Sequence, residues 1–503
     1  MPKTRRGRFA PYVIGTATLG LAAALAAFAL YAGVQDEAAG PFLVTALVAA
    51  AVGAPLRFVG RSGGDPSRRE ALLSVLVLWS LVPVIGVIPY VLGAGMSGLD
   101  ALFESVSGFT ATGATAITDF EAVPSSLFLW RAFTQWVGGI GIVVVFVAVF
   151  PQLAIAGRQI FHAELPGPTE DRFTPRLRTT ALAVLGVYLA LTAACALAYA
   201  IAGMAGFDAV AHAFTTVAAA GFSPQARSFE AYGAMIDVVA ITFMTLAAIN
   251  FALLYRAFLG RPRDLLRDPE LRTYAAIVLV AGSVLTWHLG DLYGTAEAVR
   301  HGFFQTVSIL TTTGYASADF DGWPDQARVV LVLLMFVGGS AGSAAGGVKV
   351  MRWLIIAKHT TREVRRALHP RAVLPLRIGA RVIPEEVLRA VAAFITLYVV
   401  LIASSSTLLV WLGHDFVTSF VASAATVGNV GPGLGLVGPM ASYAEIHPVG
   451  RGMLVFNMYA GRLEIVTVFV LLTMGWWRLP RRFDRHDEVH GLEPEERNPS
   501  GEG

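Results

Sequence analysis

The sequence carries little charge for its length. Asp, Glu, Lys and Arg together make up 15% of the 503 residues, whereas hydrophobic residues make up 55%. Soluble domains carry about 25% charged residues, so this composition excludes an ordinary water-soluble protein. It indicates instead a polytopic membrane protein whose core is a bundle of helices surrounded by membrane lipids.

Cysteine and catalytic motifs are equally scarce. The single cysteine, Cys195, lies inside an apolar run, which excludes a disulfide framework and fits a small packing residue. The ten histidines show no metal-ligand spacing, and neither a Ser-His-Asp set nor a carboxylate pair stands out. The sequence therefore predicts that the protein is not an enzyme and that this chain holds no cofactor.

What the sequence does contain is a series of apolar runs. The first two, 10–34 and 41–59, predict an N-terminal hairpin, and the first of them has no convincing signal-peptide cleavage site. Four pairs follow, and each run has at least about 18 largely apolar residues, enough to cross a bilayer. The pairs are 70–93 with 126–152, 179–203 with 231–258, 271–290 with 326–357, and 384–412 with 448–477.

Most of the 38 Lys and Arg residues lie in the linkers that connect these pairs and at the two ends of the chain. The positive-inside rule places those linkers and both termini in the cytoplasm. A nucleic-acid-binding role is not favoured, because the basic clusters alternate strictly with apolar spans. The final residues, 481–503, are rich in charge, Pro and Gly and predict a solvated tail.

A short segment of common design separates the two runs of each pair. In the first, second and fourth segments an aspartate precedes a glycine by 13 residues: Asp100 and Gly113, Asp208 and Gly221, Asp415 and Gly428. All four segments end in small or hydroxyl residues plus one glycine. These ends are Thr110, Ala111, Thr112, Gly113; Ala218, Ala219, Ala220, Gly221; Thr311, Thr312, Thr313, Gly314; and Ala425, Thr426, Val427, Gly428.

The chemistry that requires such ends is cation coordination. Extended backbone with small side chains can replace the water shell of a cation with carbonyl oxygens, and glycine permits the necessary dihedral angles. A short helix ending there also points its negative dipole end at the cation. The alternative is a set of glycine-containing turns, but four copies, each between apolar runs, favour a pore.

All four segments are too short to span the membrane and fall on its outer side, so they must be buried or line a cavity. The repeats are therefore parallel, unlike those of inverted-repeat transporters. This arrangement favours a channel-like pore over a rocking transporter.

Two further features lie within the third and fourth exit runs. Five glycines, Gly338, Gly339, Gly342, Gly346 and Gly347, precede Lys349 without matching a nucleotide-binding pattern. They fit either close helix packing or an unwound, movable segment. Arg462 lies deep in the last span, where an isolated charge must face a pore, a polar partner or water.

Other polar residues carry weaker signals. Glu104 and Asp119 either concentrate cations at a pore mouth or are solvated or hydrogen-bonded. Gln135 and Asn250, in the middle of two spans, have only a packing interpretation.

The chain resembles the TrkH/Ktr/HKT superfamily of potassium transport proteins over about residues 70–478. The most specific pieces are Ser107-Gly108-Phe109-Thr110-Ala111-Thr112-Gly113-Ala114, Gly428-Asn429-Val430-Gly431-Pro432-Gly433 and Gly461-Arg462-Leu463-Glu464. The resemblance implies an all-α polytopic fold of four parallel M1–pore-helix–M2 repeats around one central pore. The N-terminal hairpin is similar to the leading pair of TrkH-type members, although a generic packing hairpin fits equally well.

The resemblance also implies functional roles. The four segment ends above form the selectivity filter, with potassium held at Thr110, Thr112, Ala220, Thr311, Thr313 and Val427. The glycine-rich segment with Lys349 forms an intramembrane gate, and Arg462 opposes cation entry beneath the filter. The implied partners are a second copy of the chain and a cytoplasmic TrkA-type nucleotide-binding subunit, at the inner membrane of the cell. A sodium-coupled or sodium-conducting relative, a secondary transporter for a small solute and a scaffold are the rival functions.

The expected units are a hairpin, four repeats and a tail: 1–65, 66–160, 161–262, 263–370, 371–480 and 481–503.

Overall fold

The computed structural model describes residues 9–60, 68–148, 173–372, 374–379 and 381–472. The predicted tail and the predicted unit boundaries near 65, 160 and 480 lie outside these residues. The described chain is predominantly helical, as expected for the predicted fold, and its strands form one short ribbon. A two-residue antiparallel ribbon follows the third repeat, in which β1 (Arg377–Ile378) pairs with β2 (Arg381–Val382).

The N-terminal hairpin and the first two repeats come first along the chain. The hairpin consists of α1 (Phe9–Val34) and α2 (Gly40–Val59). The first repeat consists of α3 (Arg68–Ile85), α4 (Val87–Ala94), pore helix α5 (Gly98–Phe109) and exit helix α6 (Ser125–Ala148). The second consists of α7 (Phe173–Ile201), pore helix α8 (Gly206–Val217), α9 (Ala234–Ala247) and α10 (Phe251–Phe258).

The other two repeats have the same order. A short helix, α11 (Pro262–Arg267), leads to the third repeat: α12 (Pro269–Tyr293), pore helix α13 (Thr295–Leu310), α14 (Asp325–Met335) and α15 (Val350–Leu368). The fourth consists of α16 (Glu385–Trp411), pore helix α17 (Phe416–Val427), α18 (Pro448–Arg462) and α19 (Ile465–Leu472).

Among the described residues, six spans are long and apolar enough to cross a membrane, or up to seven if the bent pair α9 and α10 is one span. The most apolar stretches of the six are only 22–39% buried within the protein. Apolar faces that remain exposed on so many long helices indicate a surface that contacts membrane lipid.

Side-chain caps mark the start of the first and fourth pore helices. Ser97 accepts a hydrogen bond from the Asp100 amide at the start of α5, and Asp415 accepts one from the Thr418 amide at the start of α17. Side-chain oxygens at this position satisfy amides that have no partner within the helix. Each of these helices has 12 residues, about 18 Å of length, which does not cross a bilayer.

Three exit helices are broken, although the apolar runs predicted continuous spans. The second bends by 103° between α9 and α10, where Asn250 accepts a hydrogen bond from the Leu253 amide and starts a new helix. The third is interrupted by residues 336–349 and the fourth at Glu464, whose φ is +67°. Hydropathy does not detect such breaks because the residues on either side stay apolar.

The N-terminal hairpin packs against the first repeat. Trp130 of α6 lies edge-on to Phe28 of α1 and Phe42 of α2, with ring centroids 5.4 and 6.4 Å apart. The hairpin turn also caps α6, since the Glu37 carboxylate accepts hydrogen bonds from the Ser125 and Ser126 amides at 2.8 and 2.9 Å. Partial burial opposes ionisation of Glu37, but the hydrogen bonds from both serines outweigh it and lower its pKa.

Candidate functional site

The four pore helices end in the same backbone conformation. The first residue after each helix caps it, and the next one is left-handed, with φ between 52° and 58°, at Ala111, Ala219, Thr312 and Asn429. Two residues further on stands a glycine with φ between 80° and 99°, at Gly113, Gly221, Gly314 and Gly431.

The hydrogen bonds at these helix ends are equally alike. In the first repeat the Thr112 amide donates to Ser107 O and the Ala111 amide to Gly108 O, both at 2.9 Å. The amides of Ala220, Thr313 and Val430 make the bond that corresponds to the first of these, at 2.8–3.0 Å. Because this bond pattern ends a helix through a left-handed residue, all four segments leave their helices in one shape.

The fourth segment begins three residues later than the sequence alignment placed it. Ala425, Thr426 and Val427 form the last turn of α17, and Gly428 is its cap. The segment equivalent to 110–113 is therefore 428–431. The predicted register was wrong here, and Val430 takes the position that was assigned to Val427.

The cause of this error is the aspartate used to align the copies. Asp415 is the N-cap of α17, whereas the N-cap of α5 is Ser97 and Asp100 lies three residues inside the helix. The two aspartates thus occupy different helical positions, and counting 13 residues from each reaches different ends.

The four segments meet in a closed ring. A Cβ built on each glycine would overlap or crowd a carbonyl oxygen of the next segment: Gly113 with Ala220 O, Gly221 with Thr313 O, Gly314 with Val430 O, and Gly431 with Thr112 O. The fourth segment thus returns to the first. At each of these glycines the left-handed φ and the nearby oxygen leave no room for a side chain.

Side chains brace three of the four segments from within the ring. Thr110 and Thr112 share a hydrogen bond between their hydroxyls at 2.7 Å, and Thr311 and Thr313 do the same at 2.7 Å. In the fourth segment the Asn429 amide donates to Thr112 Oγ1 at 2.8 Å and to the carbonyl of Met458 at 3.1 Å. The second segment, 218–221, has three alanines and no such group.

The glycine-rich run is unwound and lies against the helix-end side of this ring. Gly338, Gly342 and Gly347 have φ of 82°, 74° and 74°, so the chain there is not helical. The Gly346 amide donates to Thr312 Oγ1 at 2.6 Å. A Cβ on Gly346 would come within 2.6 Å of the carbonyl oxygen of Gly428. The run therefore touches the third and fourth segments directly.

Comparison with known proteins places this architecture in a family. The model of the TrkH family, described as a cation transport protein, matches residues 42–475. The chain belongs to the TrkH family of cation transport proteins. Its similarity to individual members extends over most of its length.

Two of these relatives and one structure illustrate that similarity. The Trk system potassium uptake protein TrkH of Halomonas elongata is 40% identical over 82% of this chain and 86% of its own length. The TrkH protein of Salmonella typhimurium is 36% identical over 88% and 93%. The crystal structure of the potassium transporter TrkH from Vibrio parahaemolyticus matches 93% of this chain and 99% of its own, with a TM-score of 0.85 and 34% identity.

Membership in the TrkH family confirms several predictions. The chain is a polytopic helical membrane protein of a transport family, and it is not an enzyme. Within the described residues, no group of three or more His, Cys, Asp or Glu side chains is placed to hold a metal ion.

In this TrkH family member, buried polar side chains anchor the middle of the unwound run and the first turn of the helix that follows it. Glu270, at the start of α12, accepts hydrogen bonds on Oε1 from the amides of Ala341 and Met351 at 2.8 and 3.0 Å. Asn250, at the bend of the second exit helix, donates to Ala341 O at 2.8 Å. The run is thus held in a defined shape although it has no regular structure.

Arg462 is buried beneath the ring and donates to two carbonyls. Its guanidinium reaches Ala344 O in the unwound run at 3.1 Å and Gly138 O in α6 at 3.3 Å. Glu464 pairs with Arg352 at 2.7 Å, so it is not the partner of Arg462. Lys349 donates to Ala345 O of the same run. Both cations predicted for the gate therefore hold the unwound run through its carbonyls.

On the side of the ring away from the unwound run lies a cavity, and behind it a buried ion pair. Glu104 of α5 and Arg131 of α6 are both buried and 2.6 Å apart. The Glu104 carboxylate also accepts a hydrogen bond from the Ala116 amide at 2.8 Å. Glu104 is therefore a structural residue, not a free charge at the pore mouth.

Removal of this carboxylate should destabilise the protein. The Glu104→Ala substitution leaves the Arg131 guanidinium buried and unpaired, a defect that costs about 3–5 kcal/mol. We expect a clear fall in the melting temperature of the purified protein in detergent. Glu121→Ala, which removes an exposed carboxylate from the loop between α5 and α6, is the control. Equal melting temperatures for the two variants would contradict the structural role of the pair.

Sequence reasoning missed several residues of this site. Asn429, Val430 and Gly431 were displaced by the alignment, and the N-cap pattern of α17 would have placed them. Glu270 gave one weak signal, since it is an acidic residue at the start of an apolar span. Gln135 and Asn250 received only packing roles, because their partners lie in other repeats.

Proposed function

We propose that this chain is the ion-conducting, channel-like subunit of a potassium uptake system. The closed ring of four glycine-ended segments carries the proposal, because it brings backbone carbonyls and small side chains of all four repeats to one place. Such carbonyls can substitute for the water shell of K⁺. The relatives in Halomonas elongata and Salmonella typhimurium are named potassium uptake proteins, which agrees with K⁺ as the transported ion.

The proposed filter consists of residues 110–113, 218–221, 311–314 and 428–431. Potassium is proposed to bind at backbone and hydroxyl oxygens of Thr110, Thr112, Ala220, Thr311, Thr313 and Val430. The four pore helices point their carboxyl ends at the ring, so their dipoles favour a cation there.

The proposed gate is the unwound run 338–347 together with Lys349 and Arg462. In a ring with the order one to four, the first and third repeats lie opposite each other. Arg462 belongs to the fourth repeat, yet it contacts Gly138 of the first and Ala344 of the third. A guanidinium in this position lies under the ring, where it repels an incoming cation and holds the run in place.

We further propose a homodimer in the inner membrane with both termini in the cytoplasm, regulated by a TrkA-type subunit. The support is the basic surface on the side opposite to the filter. Arg365, Arg366, Arg371 and Arg377 are exposed there, on α15 and the segment that follows it. The word "system" in the names of the relatives also agrees with more than one component.

The Gly113→Ser variant tests the filter. Gly113 has a φ of +82°, and a Cβ on it would overlap the carbonyl oxygen of Ala220. Because the added side chain displaces that carbonyl, we expect the K⁺/Na⁺ permeability ratio to fall by about tenfold, the effect of roughly 1.4 kcal/mol. Fluxes of K⁺, Rb⁺, Na⁺ and Li⁺ into proteoliposomes measure the ratio.

The matched control is Gly98→Ser, at the start of α5, where an added Cβ meets no atom within 4 Å. It should leave the ratio at the wild-type value. An unchanged ratio in folded, active Gly113→Ser protein would remove Gly113 from the filter, and Na⁺ flux equal to K⁺ flux in the wild type would favour the sodium-conducting alternative.

A further inference from the structure

The second segment of the ring differs from the others in what holds it. Residues 218–220 are all alanine, so the hydroxyl pair that braces the first and third segments is missing. Ala218, Ala219 and Ala220 are completely buried. Without hydrogen bonds from the segment's own side chains, the two peptide groups that flank Gly221 are free to rotate.

Gln135 of α6 supplies a brace from outside the segment. Its Nε2 donates to Ala220 O at 2.6 Å, and its Oε1 accepts from the Phe222 amide at 2.9 Å. The two bonds join the peptide groups on both sides of Gly221 to one side-chain amide. The side chain is completely buried, so both bonds form without competition from water.

This contact is specific to the second repeat. The ring carbonyls that correspond to Ala220 O are those of Thr112, Thr313 and Val430. Among the hydrogen bonds of the described residues, no side chain donates to any of these three. The one carbonyl of these four with a side-chain donor is thus the one whose own segment has neither a hydroxyl nor an amide side chain.

Arg131, one helical turn before Gln135, contacts the residues that follow Gly221. Its guanidinium lies 3.9 Å from the centre of the Phe222 ring and donates to Ser223 O at 3.2 Å. Residues four apart share one face of a helix, so α6 presents both side chains to the second segment. Gln135 and Arg131 together fix the chain from residue 220 to residue 223.

We propose that Gln135 is a positioning residue for ion selectivity: it holds the carbonyl of Ala220 in the ring in place of the hydroxyls that the alanine segment lacks. The proposal rests on the filter assignment made above. A freely rotating peptide at one quarter of the ring relaxes the cage around the ion, and a relaxed cage discriminates less between K⁺ and Na⁺.

The test uses full-length protein in proteoliposomes and compares wild type with Gln135→Met. Methionine has nearly the same length but forms neither hydrogen bond. We expect the K⁺/Na⁺ permeability ratio to fall about fivefold, the factor that one net hydrogen bond represents, with K⁺ flux retained. The control is Thr134→Val, a buried neighbour on α6 whose hydroxyl donates to Arg131 O of its own helix. It should keep the wild-type ratio.

Each outcome separates the role of Gln135 from other causes. An unchanged ratio in folded Gln135→Met overturns the proposal, and so does an equal fall in Thr134→Val, which would mean a general effect on α6. If Gln135→Met does not fold, Gln135→Leu decides, because it is smaller and likewise forms neither hydrogen bond. If Gly113→Ser lowers the ratio and the Gln135 variants do not, the proposed role of Gln135 is wrong but the filter assignment is supported. If neither lowers it, the filter itself is wrong.

Discussion

The Arg462→Ala variant should conduct K⁺ on the order of a hundredfold faster than the wild type in the absence of a regulator. At about 6 Å and an effective dielectric constant near 20, a guanidinium and a cation repel each other by about 3 kcal/mol. Removing that repulsion from a barrier corresponds to roughly a hundredfold in rate. The substitution also releases Ala344 in the unwound run, because its carbonyl loses the hydrogen bond from Arg462.

Two further variants separate charge from anchoring. Arg462→Gln retains a side-chain donor for the carbonyls of Ala344 and Gly138 but has no charge, so it should approach the alanine variant if repulsion dominates. Arg462→Lys retains the charge with fewer donors and should stay near wild type. The measurement is K⁺ flux into proteoliposomes together with the melting temperature of each protein.

A different result would point to a structural role. Among the described residues no carboxylate pairs with Arg462, so loss of the guanidinium should not strand a buried negative charge. A strongly lowered melting temperature with no gain in flux would therefore contradict the pore-barrier assignment.

Deletion of residues 339–346 should also raise basal K⁺ flux. If the open state is populated about 0.1–10% of the time, the basal K⁺ flux is reduced to the same fraction of its open-state value. Removing the gate should therefore raise that flux by about tenfold to a thousandfold. The structure allows this deletion because the two ends of the run already lie together. A Cβ on Gly338 would be 3.1 Å from the Cα of Gly347, and the Lys349 amide donates to Val337 O at 2.9 Å.

The control for the deletion is Ser340→Ala. The Ser340 hydroxyl lies in the same run and has no hydrogen-bond partner among the described residues, so its loss should leave flux unchanged. Size-exclusion chromatography and melting temperature establish that the deleted protein is folded. Flux at or below the wild-type level in such a protein would make the run a packing element and not a gate.

Much of the fold could be predicted because the relevant signals are local. Long apolar runs, such as 179–203 and 384–412, predict membrane spans from the length of the bilayer alone. Gly113, Gly221 and Gly314, which the sequence predicted to end the first three segments, have the left-handed φ that only glycine adopts readily.

The errors arose where one local signal had two structural meanings. An aspartate near the start of a helix is either the N-cap, as Asp415 is, or an early residue, as Asp100 is, and the difference moved the fourth segment by three residues. An apolar run is either one helix or two with a sharp bend. The side chain of Asn250 decides the second case by capping α10 at the bend.

By itself, the sequence determined that this chain is a four-repeat helical membrane protein with a glycine at each pore segment. Those features depend on residues close together in the chain, through hydropathy and backbone dihedral angles. Only the tertiary structure decided that Gln135 holds Ala220, that Glu270 joins the unwound run to the start of α15, and that Arg462 bridges two other repeats. Their partners lie tens to hundreds of residues away, and a buried polar group in a membrane protein is defined by the partner that satisfies it.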